Sequence, residues 1–451
     1  MDSFYIVLFG ALAIGATYME YSNHRKSATT ESKLFNFSSS FLTFRNNYIV
    51  VYSLMMAGDW LQGPYVYALY SYYGYSKGDI GRLFIAGFGS SLIVGTFVGS
   101  LADKVGRKKI ALVYCATYIA SCVTKHWSNY HVLMLGRFFG GIATSLLFSV
   151  FESWLVAEHF SRGFEASWLG STFSKAVFYG NGLVAIAAGV LANYLVRDMD
   201  FGPVAPFDAA IVFLTLGAGL ITFTWNENHG DKTENNQQTF SASFQVAVDE
   251  IRNDTKIFLL GCMQALFEGA MYTFVFLWTP ALAPTNEDIP HGFIFSTMMV
   301  ACMLGSAYAG RLLAEEHKPE VYMKSVFGVS AAAMIVPVLA PFLLGSMALG
   351  NPRGLTVSGF GQLLAFCVFE MCVGMFWPSF MQMRSKYVPE EHRSTIINIF
   401  RIPLNLFVCT ILYNVDAFET SSLFFMCFAF LVGAMLCMIK FENMTTVNAI
   451  V

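Results

Sequence analysis

Six ionisable residues fall near the middle of apolar stretches that are long enough to cross a bilayer: Asp59, Arg137, Lys175, Glu268, Glu370 and Arg401. A charged side chain that faces lipid at the bilayer centre costs roughly 2.5–3.5 kcal/mol, so six would cost on the order of 15–20 kcal/mol. That sum exceeds the stability of a typical domain. Each residue singly is explained as well by a structural ion pair as by a function. The six together favour a central polar cavity.

The two halves of the chain carry these charges at corresponding positions, which suggests a weak internal repeat. Compared segment by segment, the charges form three matched sets: Asp59 with Glu268, Arg137 with Glu370, and Lys175 with Arg401. Two six-helix halves around a site near the bilayer midplane are typical of secondary transporters.

Polar residues one helical turn from these charges lie on the same helix face and could complete a binding site. We assign the following residues to substrate binding: Arg137, Lys175, Arg401, Gln62, Tyr272 and Asn405. Arginine offers a planar fork that suits tetrahedral oxyanions, and lysine adds a compact charge. The three basic residues could therefore coordinate a small dianion if some of the acids were protonated.

Three acids balance the three bases, and we assign Asp59, Glu268 and Glu370 to proton coupling or charge balance. Under one hypothesis, Glu268 or Glu370 takes up a proton together with the anion. Under the alternative, every acid and base is permanently paired and the substrate is neutral, such as a sugar. The chemistry of the residues leaves both open.

Composition places the chain in one broad class. Of its 451 residues, 55% are hydrophobic and only 13% are charged, against about 25% charged in soluble proteins. This indicates an all-α polytopic membrane protein. The basic residues are not gathered into a nucleic-acid-binding surface. We find no P-loop, no C-x-x-C pair and no midplane histidine constellation, so we expect no nucleic-acid partner, no cofactor, no metal and no enzyme activity.

Apolar stretches of about twenty residues recur throughout, as expected of membrane-spanning helices. We predict an extra N-terminal helix near 3–21 and twelve core helices: 48–71, 80–102, 109–126, 130–152, 168–196, 206–225, 256–283, 291–313, 321–345, 358–383, 394–415 and 420–440. The predicted domains are the extra helix and a cytosolic loop (1–45), an N-terminal half (46–225), a linker (226–255) and a C-terminal half with a short tail (256–451). Phe244, Val248 and Ile251 predict an amphipathic helix within the linker.

Lysine and arginine are concentrated in alternate loops, which sets the expected orientation. The linker and the C-terminus are then cytosolic, and the N-terminus is extracellular. No retention signal stands out, so we expect a multi-pass, monomeric protein in the lipid bilayer of the plasma membrane.

The loop from Gly99 to Lys109 is the most specific motif. Its residues Gly99, Asp103, Gly106 and Arg107 have the spacing of the loop that joins the second and third core helices in major facilitator superfamily transporters, which it resembles. We assign these four residues to gating. Glu152 and Arg384, near the cytoplasmic ends of two core helices, are predicted to form gating ion pairs with loop partners.

Further strings along nearly the whole chain resemble the eukaryotic molybdate-anion transporters of that superfamily: Asp59-Trp-Leu-Gln62-Gly-Pro64-Tyr65, Gly136-Arg137-Phe-Phe-Gly140-Gly141, Gln264-Ala-Leu-Phe-Glu268, Phe376-Trp-Pro378-Ser and Phe400-Arg401-Ile-Pro403-Leu. The resemblance implies the superfamily fold with one extra N-terminal transmembrane helix and the uptake of molybdate, a small inorganic oxyanion. A carrier of sulfate, another organic anion or a sugar remains an alternative, as does a non-transporting sensor.

Overall fold

The computed structural model describes residues 2–34, 37–229, 240–285, 287–344, 347–349, 354–389 and 393–447. Apart from one isolated bridge between Ala348 and Thr356, the regular elements of these residues are helical. The chain forms two compact units. The N-terminal unit comprises Lys26–Thr233 and Pro290–Ser296, and the C-terminal unit comprises Met1–Arg25, Glu234–Ile289 and Thr297–Val451.

The helices before the linker are α1 (Ser3–Leu34), α2 (Ser39–Trp60), α3 (Val66–Tyr72), α4 (Lys77–Val105), α5 (Arg107–Val123), α6 (Tyr130–Ser161), α7 (Ala166–Ala176), α8 (Val184–Asn193) and α9 (Ala205–Thr224). From the linker onward they are α10 (Phe240–Asn253), α11 (Thr255–Leu282), α12 (His291–Ala314), α13 (Pro319–Leu343), α14 (Val357–Tyr387), α15 (Arg393–Tyr413) and α16 (Thr420–Val447). Among the described residues, nine helices are long and apolar enough to cross a membrane.

Polar caps explain where several of these helices begin. Ser76 accepts from the Asp79 amide while the Asp79 carboxylate reaches back to Ser76, so α4 begins at a capping box. Asn129 caps α6 by accepting from the amides of His131 and Val132. These side chains satisfy amides that have no partner inside the helix.

The predicted helix 48–71 is broken, which sequence periodicity missed. α2 ends at Trp60, a 3₁₀ turn covers Gly63–Tyr65, and α3 continues the path. Pro64 lies at the start of that turn, where its missing amide hydrogen costs nothing. Asp59 is the last residue but one of α2 and so lies next to the break.

The predicted helix 168–196 is a continuous helical path with two wide turns. π-helical turns span Val177–Leu183 and Tyr194–Asp198, on either side of α8. Gly180 lies in the first of them, where an added Cβ would be 2.8 Å from the ring of Tyr52 on α2. π-helical turns occur frequently at functional sites, and this one begins two residues after Lys175.

The N-terminal helix α1 is longer than the predicted 3–21, because it continues through polar residues to Leu34. Its apolar part packs on the C-terminal unit. Asn23 donates to the Ala307 carbonyl (2.8 Å), and Phe4 meets Phe360 edge to face. In the linker, α10 confirms the predicted helix: Val248 and Ile251 are half-buried, whereas Asp249 and Arg252 are exposed.

Aromatic side chains dominate both cores. Trp154 and Trp225 stack with ring centroids 3.6 Å apart in the N-terminal unit, and Tyr48 stacks beside them. In the C-terminal unit, Phe267 and Phe376 stack at 4.1 Å. Large buried rings of this kind supply much of the packing energy of a helical bundle.

Candidate functional site

In the N-terminal unit, Asp59 lies at the helix break with its carboxylate engaged. Tyr118 on α5 donates its hydroxyl to Asp59 Oδ1. Gln62, inside the break, is buried and donates to the Gly58 carbonyl (2.8 Å), which leaves its own carbonyl oxygen available. A tyrosine rather than a base is therefore the partner of this acid.

Arg137 lies near the start of α6, not at its middle. Its Nε donates to the Leu83 carbonyl (3.2 Å), and the guanidinium lies over the Phe84 ring, 4.7 Å from the centroid. Gly87 makes room for the group, since a Cβ there would be 2.7 Å from Nη2. Arg137 is thus anchored on α4 by one nitrogen, and its side chain remains half-exposed.

Lys175 on α7 lines a groove of about 640 Å³ within the N-terminal unit. The groove is mostly apolar, and its polar lining residues are Asn46, Ser53, Lys175 and Tyr179. α2 and the helical path from α7 to α8 form its walls. Lys175 is the only cation among the lining residues.

In the C-terminal unit, Glu268 on α11 is the most deeply buried of the six charges, with 0% exposure. Gln264 donates its amide nitrogen to Glu268 Oε1 (2.8 Å) and accepts from Arg384 Nη1 at 3.3 Å. Gln264 therefore bridges a carboxylate and a guanidinium. Glu268 Oε2 has no hydrogen-bond partner among the described residues.

Arg401 on α15 lies near this cluster, because its charge acts on both Glu268 and Tyr272. The Arg401 side chain is exposed. Asn405 donates to the Arg401 carbonyl (2.8 Å), so its amide nitrogen is used within the helix. Arg401, Tyr272 and Glu268 thus form one polar patch with Arg384.

Glu370 does not join that patch within the described residues. It lies on α14, is 6% exposed, and its charge acts on Cys302 and Cys367. The crossing of α12 and α14 is very close here, since a Cβ at Gly374 would lie 1.9 Å from the Cys302 carbonyl oxygen.

Comparison with known proteins identifies the chain's relatives. A family model described as sugar transporters with twelve transmembrane segments matches residues 4–366. The molybdate-anion transporter of Xenopus tropicalis is 34% identical over 449 residues, which cover 98% of this chain and 94% of that protein. The chain belongs to the molybdate-anion transporter family of the major facilitator superfamily. The Danio rerio protein of the same name is 33% identical, covering 90% of this chain and 85% of that protein.

Solved structures bear out the fold. A nucleoside transporter matches with a TM-score of 0.67 at 14% identity, covering 89% of this chain and 99% of that one. A D-xylose-proton symporter matches with a TM-score of 0.65 at 13% identity, covering 88% and 98%. The predicted major facilitator fold is therefore confirmed. The named relatives and the matching family model show that the chain is a transporter rather than an enzyme.

In this family member, the loop from Gly99 to Lys109 is held by Glu227, a residue that sequence reasoning missed. The Glu227 carboxylate accepts from the backbone amides of Lys108 (2.8 Å) and Lys109 (3.2 Å) at the start of α5. The Arg107 amide donates to the Asn228 carbonyl at 2.9 Å. A carboxylate at a helix N-terminus also interacts favourably with the helix dipole. The first linker residues are thus part of the N-terminal unit.

The other gating residues have varied surroundings. Gly99 and Asp103 lie on α4, and their side-chain surroundings are outside the described residues. Arg384 and Glu152 differ from the predicted ion pairs with loop residues. Arg384 binds Gln264 inside the C-terminal unit, and the Glu152 charge acts on Tyr48 and Tyr52 of α2.

Gly106 is the residue on which this loop geometry depends. Its φ of +114° is a conformation that other residues rarely adopt, and an added Cβ would lie 2.5 Å from the Glu227 carboxyl carbon. We expect Gly106→Ala to destabilise the purified protein by about 1–3 kcal/mol, because strain and a steric clash act together. Thermal unfolding in detergent measures the effect.

Gly163→Ala is the matched control, since Gly163 also has a positive φ (+71°) but nothing within 4 Å of its added Cβ. Gly106→Ala should melt well below this control. Equal melting temperatures would contradict a role for the Glu227 contact.

Proposed function

We propose that the protein is a secondary active transporter that imports molybdate by alternating access, coupled to protons. The observation that carries this proposal is the full-length similarity to proteins named molybdate-anion transporters. Among the described residues no cluster of metal-ligating side chains occurs, which fits a substrate bound as an oxyanion rather than as a cation.

The proposed substrate ligands are Arg137, Lys175 and Arg401, supported by Gln62, Tyr272 and Asn405. Arg401 supports the proposal best, because its guanidinium is exposed beside a buried carboxylate. Among the described residues Arg137 hydrogen-bonds through Nε to α4, which leaves its terminal nitrogens for an oxyanion. Charge-assisted hydrogen bonds from arginine suit a doubly charged tetrahedral ion.

For proton coupling we propose Glu268 first among Asp59, Glu268 and Glu370. Its Oε2 is buried without a hydrogen-bond partner among the described residues, so a proton there would remove an uncompensated charge. Gln264 links the same carboxyl to Arg384. A change of charge at Glu268 would therefore be felt by the basic groups of this patch.

We further propose that the loop with Gly99, Asp103, Gly106 and Arg107 locks one state of the transport cycle, and that Glu152 and Arg384 contribute to gating. The proposed location is the plasma membrane, as a monomer, with an extracellular N-terminus and a cytosolic C-terminus.

Molybdenum accumulation in molybdate-starved cells tests the proposal, with elemental mass spectrometry as the readout. We expect uptake above the level of untransformed cells, and at least a tenfold loss in Arg401→Ala, because a charge-assisted hydrogen bond is worth about 1.5–3 kcal/mol. Arg252→Ala, which removes an exposed arginine from α10, is the matched control and should keep its uptake.

Excess sulfate distinguishes a selective molybdate importer from a general oxyanion carrier. Sulfate would reduce molybdenum accumulation only if the protein carries oxyanions in general. A sugar carrier is the second candidate, favoured by the description of the matching family model. Uptake of a labelled sugar with no molybdenum accumulation, despite surface expression, would overturn the molybdate proposal.

A further inference from the structure

Lys125 is a buried cation that the proposed mechanism has not used. It lies in the 3₁₀ turn Thr124–His126 that follows α5, and the residue is 1% exposed. Its Nζ has no hydrogen-bond partner among the described residues. Lysine is almost never fully buried unless it is paired. An amine in this position therefore calls for a ligand or for loss of its charge.

The surroundings of Lys125 Nζ contain donors and cations. Nζ lies 5.6 Å from the ring centroid of Tyr70 on α3, whose buried hydroxyl also has no partner among the described residues. On α6, a Cβ at Gly136 would be 3.1 Å from Nζ, so the backbone just before Arg137 passes directly against the amine. The charge of Arg137 acts on both Lys125 and Tyr70.

The acids nearby are engaged elsewhere. Asp208, on the first turn of α9, binds His126 Nε2 at 2.8 Å. Asp59 accepts from Tyr118. The remaining titratable neighbours are Cys122, on the same side of α5, and Tyr73, whose hydroxyl donates to the Lys125 carbonyl. The Lys125 amine, the Arg137 guanidinium and the Tyr70 hydroxyl thus converge, and among the described residues no carboxylate pairs with Lys125; these groups are the donors that an anion requires.

We propose that Lys125 and Tyr70 complete, with Arg137, the binding of an oxyanion in the N-terminal unit, and that Lys125 takes up one proton from the medium as the anion binds. The step is balanced: a neutral amine, a proton and a dianion give an ammonium–dianion pair, and the proton leaves with the anion on release. This inference rests on the proposed function and names a lysine as a proton carrier. Burial and the adjacent Arg137 charge lower the pKa of Lys125 to about 7, so the free amine is largely neutral above that pH.

Calorimetric titration of the purified protein with molybdate, in two buffers of different ionisation enthalpy, counts the protons taken up. Because the free pKa is about 7 and a bound dianion raises it, more protons should be taken up per anion at pH 8 than at pH 6.5. Lys125→Arg, which stays charged, should lose the share of proton uptake that Lys125 contributes, so that any uptake left belongs to Glu268. Lys125→Met should bind at least tenfold more weakly and lose the same share of uptake.

Folding of the variants is checked by thermal unfolding without anion. Lys125→Met should melt no lower than the unsubstituted protein, because an apolar side chain replaces an unpartnered buried amine; if it fails to fold, Lys125→Arg carries the test alone. Unchanged proton uptake in Lys125→Arg overturns the inference.

If the unsubstituted protein binds no molybdate, sulfate and phosphate are titrated in the same way. Binding of either with Lys125-dependent proton uptake would support the site while overturning the molybdate proposal. Binding of none would overturn the site.

Discussion

Gly305→Ala is expected to destabilise the C-terminal unit, whereas Gly310→Ala on the same helix is expected to stabilise it slightly. A Cβ at Gly305 would lie 1.9 Å from the Met371 carbonyl oxygen on α14, and a backbone atom cannot rotate away. The two helices would have to separate, at a cost of about 1–3 kcal/mol or more. Gly310 is exposed, with nothing within 4 Å of its added Cβ, so alanine there gains helix propensity of about 1 kcal/mol.

Thermal unfolding and the yield of monodisperse protein in detergent measure both variants. The opposite signs of the two effects make the comparison independent of expression level. If Gly305→Ala melted as high as Gly310→Ala, the close crossing of α12 and α14 that buries Glu370 would be wrong.

Arg384→Leu is expected to lose most molybdate uptake and about 2–3 kcal/mol of stability. The buried Glu268 carboxylate would keep its bond to Gln264 but lose the guanidinium at the far end of that amide. Breaking a directly paired, fully buried charge costs about 3–5 kcal/mol, and the smaller figure is expected because Arg384 is partly exposed and reaches Glu268 only through Gln264, while the Arg401 charge still acts on that carboxylate.

A second substitution tests whether charge is the cause. Glu268→Gln in the Arg384→Leu background should restore the folded amount, because the buried negative charge is gone, without restoring uptake. Arg311→Leu is the control: Arg311 pairs with Glu315 on the surface, and its loss should change stability by less than about 0.5 kcal/mol. A double variant less stable than Arg384→Leu alone would contradict the inference that Gln264 couples the charges of Glu268 and Arg384.

The spanning helices could be predicted from sequence because each needs only a local run of apolar residues, and the structure reproduces most of them within a few residues. The break after Trp60 was not predicted, since Pro64 in the first turn of a 3₁₀ helix does not interrupt the apolar pattern. Helical periodicity also has no means of marking the wide turn that follows Lys175.

The partners of charged residues were the least predictable feature. Lys125 falls at the end of the predicted helix 109–126, whereas the structure places it in the turn after α5, where the packing of α3 and α6 buries it. Glu227 reads as one acid in a polar linker, yet it caps α5 from a long way along the chain. Such contacts depend on which helices are neighbours, and no local pattern carries that information.

The two wide turns in the path from Ala166 to Asp198 have a consequence for how such a helix can change over evolution. In a regular α-helix, inserting or deleting one residue rotates every later side chain by about 100°. A π-helical turn already holds an extra residue, so a one-residue deletion can be absorbed by tightening that turn while Lys175 and the residues of α8 keep their faces. Homologous chains could therefore differ in length inside this membrane helix without altering what it presents to its neighbours.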